Sequence, residues 1–90
     1  MNETIKKLLY DAQIIIKDHH DMTSATLSNE VMRVRVSVLT LAGFSETELN
    51  TSTWYEYIEG DDMPKELLPT MIELDDVLDC HNNVRFNHTN

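Results

Sequence analysis

The sequence predicts an all-α domain, a small compact bundle of five or six helices, and three observations carry that expectation. Apolar residues recur at the i, i+3, i+4, i+7 spacing of a helical face in the first and last thirds of the chain. Ser, Thr and Asp stand ahead of such segments, in "SETE" and "TWYE" with Glu three positions on, as at helix N-termini. Only two Gly and two Pro occur, too few for the tight turns of a small β-sandwich. Ninety residues make one domain, residues 1–90, with a single modest core that buries about 60 to 65% of the unfolded chain's surface. A hydrophobic content of 41% with 26% charged residues fits a globular chain, and no repeat, linker or low-complexity run divides it.

The first helix is expected from about Glu3 to Asp18. Ile5, Leu8, Leu9, Ala12, Ile15 and Ile16 fall on one face and form its core stripe. The run "IIIKD" raises a question of direction, because a helix turns about 100° per residue and three successive isoleucines cannot share a face. Ile14 falls near the opposite side, one turn beyond Tyr10, and the two make a smaller apolar strip among Lys7, Asp11, Lys17 and Asp18.

The segment "TLSNEVMRVRVSVLTLAGF" carries two periodicities. Val34, Val36 and Val38 alternate with Arg33, Arg35 and Ser37 as in a strand, while Leu27, Val31, Val34, Val38 and Leu41 fit a helical face. A strand needs partners and the chain offers none, so a helix is expected, capped by Ser24 or Ser28 and ended by Gly43. Met32, Val36 and Leu39 then form a second apolar strip on its far side.

Ser45 with Glu48 spells a capping box over a single turn, and Thr53 with Glu56 another, opening a short helix through Trp54, Tyr57 and Ile58 that ends at Gly60. Asp62 is placed to cap the next helix, with Pro64 in its first turn and a broad apolar face of Leu67, Leu68, Met71, Ile72, Leu74, Val77 and Leu78. After Asp79 periodicity fades, and residues 82–90 read as a short turn or flexible tail onto which Val84 and Phe86 dock back.

Charge and cysteine content exclude several functions. The net charge is −9, and the stretch from Glu56 to Asp79 holds nine acids against Lys65 alone. Such a field repels phosphate backbones and attracts basic surfaces, which argues against direct nucleic-acid binding. Cys80 is the single cysteine, so no internal disulfide forms and a reducing cytoplasm is expected. Its neighbour His81 is the one base at hand, no third group orients it, and Cys80 reads as a small hydrophobe. The charged "MNETIKKLLYDAQ" lacks the apolar run of a signal peptide or a membrane span. His19, His20, Asp21 and Met22, with distant His81 and His88, are suitable residue types for a metal but lack ligand spacing, and "ELDDVLD" lacks the EF-hand pattern and reads as a solvated acidic face. With no phosphate loop, nucleophile elbow or dinucleotide fingerprint, neither an enzyme nor a cofactor is expected.

What is left is an interaction protein with more apolar helical faces than one core needs. "DAQIIIKD", the helix that begins near "NEVMRVRV" and closes at "AGF", and "ELNTSTWYEYI" resemble the AsiA anti-sigma factors of T-even-like bacteriophages. The resemblance extends to about Leu74 and rests on Ala12, Ile14 to Ile16 and Lys17, then on Leu49, Asn50 and Trp54. It implies a helical domain, dimeric when free, that acts in the host bacterial cytoplasm. Its partner there is region 4 of the primary sigma subunit of RNA polymerase, and binding blocks recognition of the −35 promoter element. Some such proteins also work with the polymerase core and a phage activator to redirect the enzyme to phage promoters. Carried over by motif, the resemblance places partner contacts at Ile14, Ile15 and Lys17, to which the exposed strip adds Tyr10, and offers Val36, Val38 and Leu39 as candidates on the second helix. The chain departs from the family at Asp18, where an aromatic contact is usual, at Arg33 and Arg35, and in its last residues, "CHNNVRFNHTN". Two further readings share the charge pattern: an acidic DNA mimic or antitoxin-like inhibitor of another basic protein, and a structural homodimer whose surplus apolar faces pair with themselves.

Overall fold

Asn2 opens the first helix: its side-chain oxygen accepts from the Ile5 backbone N–H at 2.9 Å, and α1 runs Glu3–Asp18. In this computed structural model the backbone is described for residues 2–88 and side chains through His81. α1 is followed by a single 3-10 turn, His19–Asp21, and then by α2, Ser24–Leu41. The cap of α2 is Thr23, which accepts from the Thr26 N–H at 3.1 Å, rather than Ser24 or Ser28. Thr23 is the residue with the extended backbone that a cap needs, whereas Ser24 and Ser28 are already helical.

Gly43 ends α2 in the left-handed region, φ 96°, with its N–H bonded to the Thr40 carbonyl and the Phe44 N–H to the Leu39 carbonyl. This is the Schellman arrangement that a glycine favours. The Ser45 box holds as expected, over the single turn Glu46–Glu48. Asn50, not Thr53, caps α3, Thr51–Glu59, its Oδ1 accepting from the Thr53 N–H at 2.9 Å. Asn is a stronger cap than Thr and, standing three residues earlier, it adds the Thr51 to Thr53 turn to the helix.

The last helix differs most from expectation. α4 spans Leu68–His88, starting six residues after Asp62 and continuing past Asp79. Pro69 fixes the start: a helix begun at Asp62 would carry Pro69 in its interior, where it lacks the N–H for a bond to the Lys65 carbonyl. Residues 64–67 instead make one turn, the Leu67 and Leu68 N–H groups both bonding to the Pro64 carbonyl. At the other end residues 82–88 are helical, while docking of Val84 and Phe86 lies outside the described side chains. Among the described residues the architecture is therefore four α-helices and two single 3-10 turns, with no strand, in place of five or six helices.

α1 packs against both α2 and α4, and α2 against α4. Leu8, Ala12 and Ile15 of α1, Leu27, Val31, Val34, Val38 and Leu39 of α2, Trp54 of α3 and Met71 and Leu74 of α4 close one core, joined by Met63 and Leu67 from the connection between α3 and α4. Ile5, Leu9 and Ile16 flank it half-buried, so the α1 stripe is the one expected. α2 buries a wider face than one stripe because it is gripped from two sides. Leu39 joins the core, leaving Met32 and Val36 half-buried, while Leu41 is exposed.

Candidate interaction face

With one side of α1 committed to the core, its other side is open. Ile15 is 3% exposed, whereas Ile14 is 37% and Tyr10 63% exposed, as a 100° step between Ile14 and Ile15 requires. Tyr10 and Ile14 lie one turn apart, and Lys17, a further turn on, is exposed beside them.

Ile14 forms part of the wall of a groove between α1 and α2. Buried Leu8, Ile15 and Val34 make its floor, half-buried Met22 joins the lining, and Lys7, Asp11, Glu30, Arg33 and Ser37 form the rim. The rim charges are already paired: the Lys7 Nζ donates to Asp11 Oδ2 at 2.9 Å, and Arg33 Nη1 lies 3.3 Å from Glu30 Oε1. Exposed pairs of this kind contribute little to stability, but they hold polar groups at the edge and leave the floor apolar. Beyond Arg33 and Ser37 the surface continues into a shallow hollow with Met32 and Val36. Tyr10 and Ile14 on α1 and Met32 and Val36 on α2 thus add accessible apolar surface to a groove with an apolar floor and charged rim, a mixture that suits a partner site.

The structure separates the seven sequence-derived contact residues. Tyr10, Ile14, Lys17 and half-buried Val36 are accessible on this side. Ile15 contributes only to the groove floor. Val38 and Leu39, each 1% exposed, are core residues whose side chains offer no surface, because they point between α2 and its neighbours.

A polar cluster missed by the sequence reading lies on the opposite side of α2. Arg35, 4% exposed, donates through Nη2 to Asp75 Oδ1 at 2.7 Å, and Trp54 Nε1 donates to Asp75 Oδ2 at 2.8 Å. The guanidinium carbon also lies 5.5 Å from the ring centroids of both Trp54 and Tyr55. Asp75 is thus no member of a solvated face; its two oxygens join α2, α3 and α4. Arg35 Nε has no partner among the described residues, so the carboxylate is the main compensation for this buried charge. The signal was present: Arg35 shares its helical face with Val31, Val38 and Leu39, and an Arg in an apolar stripe requires an acid.

The remaining chemistry is sparse. Cys80, expected as a small hydrophobe near the end of the last helix, is exposed, and α4 continues beyond it. His81 approaches His19, yet among the described residues no group of three His, Cys, Asp or Glu is arranged to hold a metal ion. No helix among the described residues is long and apolar enough to cross a membrane. No protein-family model, curated protein or solved structure matches the chain.

Proposed function

We propose that this protein is an anti-sigma factor that binds region 4 of the host RNA polymerase primary sigma subunit through the face built on Tyr10, Ile14 and the α1–α2 groove. Bound there, it blocks use of the −35 promoter element. The observation that carries the reading is Ile14: an isoleucine 37% exposed on the wall of a groove with an apolar floor and a charged rim, one turn from a tyrosine 63% exposed. Such residues are the usual anchors of an interface, where a few side chains dominate the affinity. The partner's chemistry also suits the chain. A DNA-reading helix-turn-helix is basic, and a protein with net charge −9 attracts it over a distance while the apolar strip supplies the contact. In the free protein a second copy covers the same strip.

The test is titration of a sigma region 4 fragment into the protein, read by calorimetry. A 1:1 complex is expected, and Ile14→Asp should abolish it while leaving the helical circular dichroism intact. Normal binding by that variant would sink the reading.

The exposed acids of the connection before α4, among them Asp61, Asp62 and Glu66, support a second reading, an acidic mimic of DNA directed at another basic protein. That protein's binding would compete with DNA, weaken steeply with salt and be indifferent to Ile14.

A further inference from the structure

Three imidazoles meet where the turn after α1 packs against α4. The ring centroids of His19 and His20, on the turn after α1, are 3.9 Å apart, and His81 of α4 meets His19 edge to face at 5.9 Å. His19 Nδ1 and His81 Nε2 are both shut off from solvent without a hydrogen-bond partner among the described residues. A neutral imidazole tolerates this by turning its bare nitrogen inward, but an imidazolium carries N–H on both nitrogens and would bury an unsatisfied donor with a charge behind it. Burial, then the proximity of His20 and of His81, hold the His19 pKa below its usual 6.5. Lys17 and Asp18 at the end of α1, Asp21 on the turn and Asp79 on α4 are the charged neighbours along these elements, all exposed. Among the described residues none forms an ion pair with any of the three rings. The Arg85 and His88 side chains are outside the described set.

We propose that this junction is an acid-sensitive latch: a neutral His19 seats His81 of α4 against the turn that ends α1, and protonation of His19 drives that part of α4 off the turn. The sign follows from His19 binding its proton less readily folded than unfolded. The latch is intact above about 6.5, weakens as pH falls through that value, and reaches its limit below the lowered folded pKa. Opening is local, because Leu67, Met71 and Leu74 and the Arg35–Asp75 pair anchor α4 nearer its start.

Amide hydrogen exchange read by NMR at pH about 7.5 and about 5.5, corrected for the intrinsic exchange rate, tests the proposal on the full chain. Amides of residues 19–22 and 78–81 should lose about tenfold in protection at the lower pH, and those near Met71 should be unchanged. His81→Gln and, independently, His19→Gln should each remove the pH dependence. His81→Lys, a fixed charge, should open the junction already at the higher pH. Trp54 fluorescence reports that each variant has folded. Equal protection of the wild type at both pH values, or a pH dependence that survives in both Gln variants, would overturn the latch.

Discussion

Arg35 and Asp75, 40 residues apart in the chain, form an ion pair at 2.7 Å with side chains only 5% and 13% exposed. Such a pair is a weak source of net stability, since both charges give up water to make it, but it is costly to break from one side. Asp75→Ala leaves Arg35 buried without its carboxylate and removes the acceptor of Trp54 Nε1. The expected loss is about 3 to 5 kcal/mol, measured by urea unfolding at fixed protein concentration. Trp54→Phe, which removes only the donor, should lose less, and Arg35→Met with Asp75 intact should fall between them. An Asp75→Ala protein as stable as wild type would mean that the cluster contributes nothing to holding α2, α3 and α4 together.

Ile14 and Ile15 separate stability from binding within one peptide unit. Ile15→Ala truncates a side chain 3% exposed and should destabilise the protein by about 2 to 5 kcal/mol. Ile14→Asp should change stability by only about 1 kcal/mol, mostly from the poorer helix propensity of Asp, while losing the sigma fragment. Tyr10→Ala should weaken the same complex by about 2 kcal/mol or more if Tyr10 is one of its anchors. Thermal unfolding alongside calorimetric titration distinguishes the two classes; equal effects of the Ile14 and Ile15 changes on unfolding would remove the basis for an outward strip.

The ease of reading α1 and the difficulty of reading α2 have one physical origin. α1 buries a single stripe, so a 3.6-residue period separates Ile14 from Ile15 without reference to any other helix. α2 is held from two sides, and its buried set of Leu27, Val31, Val34, Arg35, Val38 and Leu39 is too wide for one stripe, so Leu39, expected on a far strip with Met32 and Val36, joins the core. Arg33 and Arg35 differ by two positions and look equivalent along the chain. One pairs with Glu30 within its own helix and the other with Asp75 on a distant one, a distinction that only packing makes. The start of α4 was available from Pro69 alone, whereas Asp62 and Pro64 supplied a stronger local pattern for a turn that does not propagate.

Gly43 isolates the effect of backbone conformation. Its φ of 96° disfavours any L side chain, yet a Cβ there would meet nothing within 4 Å. Gly43→Ala should therefore destabilise by about 1 kcal/mol through strain at the α2 terminus, with no change in the partner face. Denaturant unfolding measures it, and a stability gain would contradict the left-handed cap.

Glu48 gives a pH effect with a definite sign. Its carboxylate accepts from the Ser45 backbone N–H and hydroxyl, both at 2.9 Å, and these bonds hold its pKa below the usual 4.5. A carboxyl group whose folded pKa is lowered binds protons less readily in the folded state. Its contribution is therefore present above about 4.5 and lost as pH falls through the lower folded value. Titration of the Glu48 side-chain carbon by NMR should place its midpoint below the usual 4.5. Ser45→Ala should move it upward by removing the hydroxyl donor, and only partly, because the stronger influence, the Ser45 backbone N–H, remains. A midpoint unchanged by Ser45→Ala would show that the hydroxyl bond is not formed in solution.

Charge and apolar contact should separate in the kinetics of partner binding. Asp61, Asp62 and Glu66 are exposed and lie apart from the α1–α2 groove lining, so they attract a basic partner without touching the apolar anchor. Replacing all three by Asn and Gln should lower the association rate constant and flatten its dependence on salt, with dissociation little changed. Ile14→Ala should do the reverse, accelerating dissociation at every ionic strength. Stopped-flow measurement with the sigma fragment at low and high salt distinguishes these outcomes. If the acid replacements abolish binding while Ile14→Ala leaves both rate constants untouched, the partner is held by the acidic surface, and the DNA-mimic reading replaces the anti-sigma one.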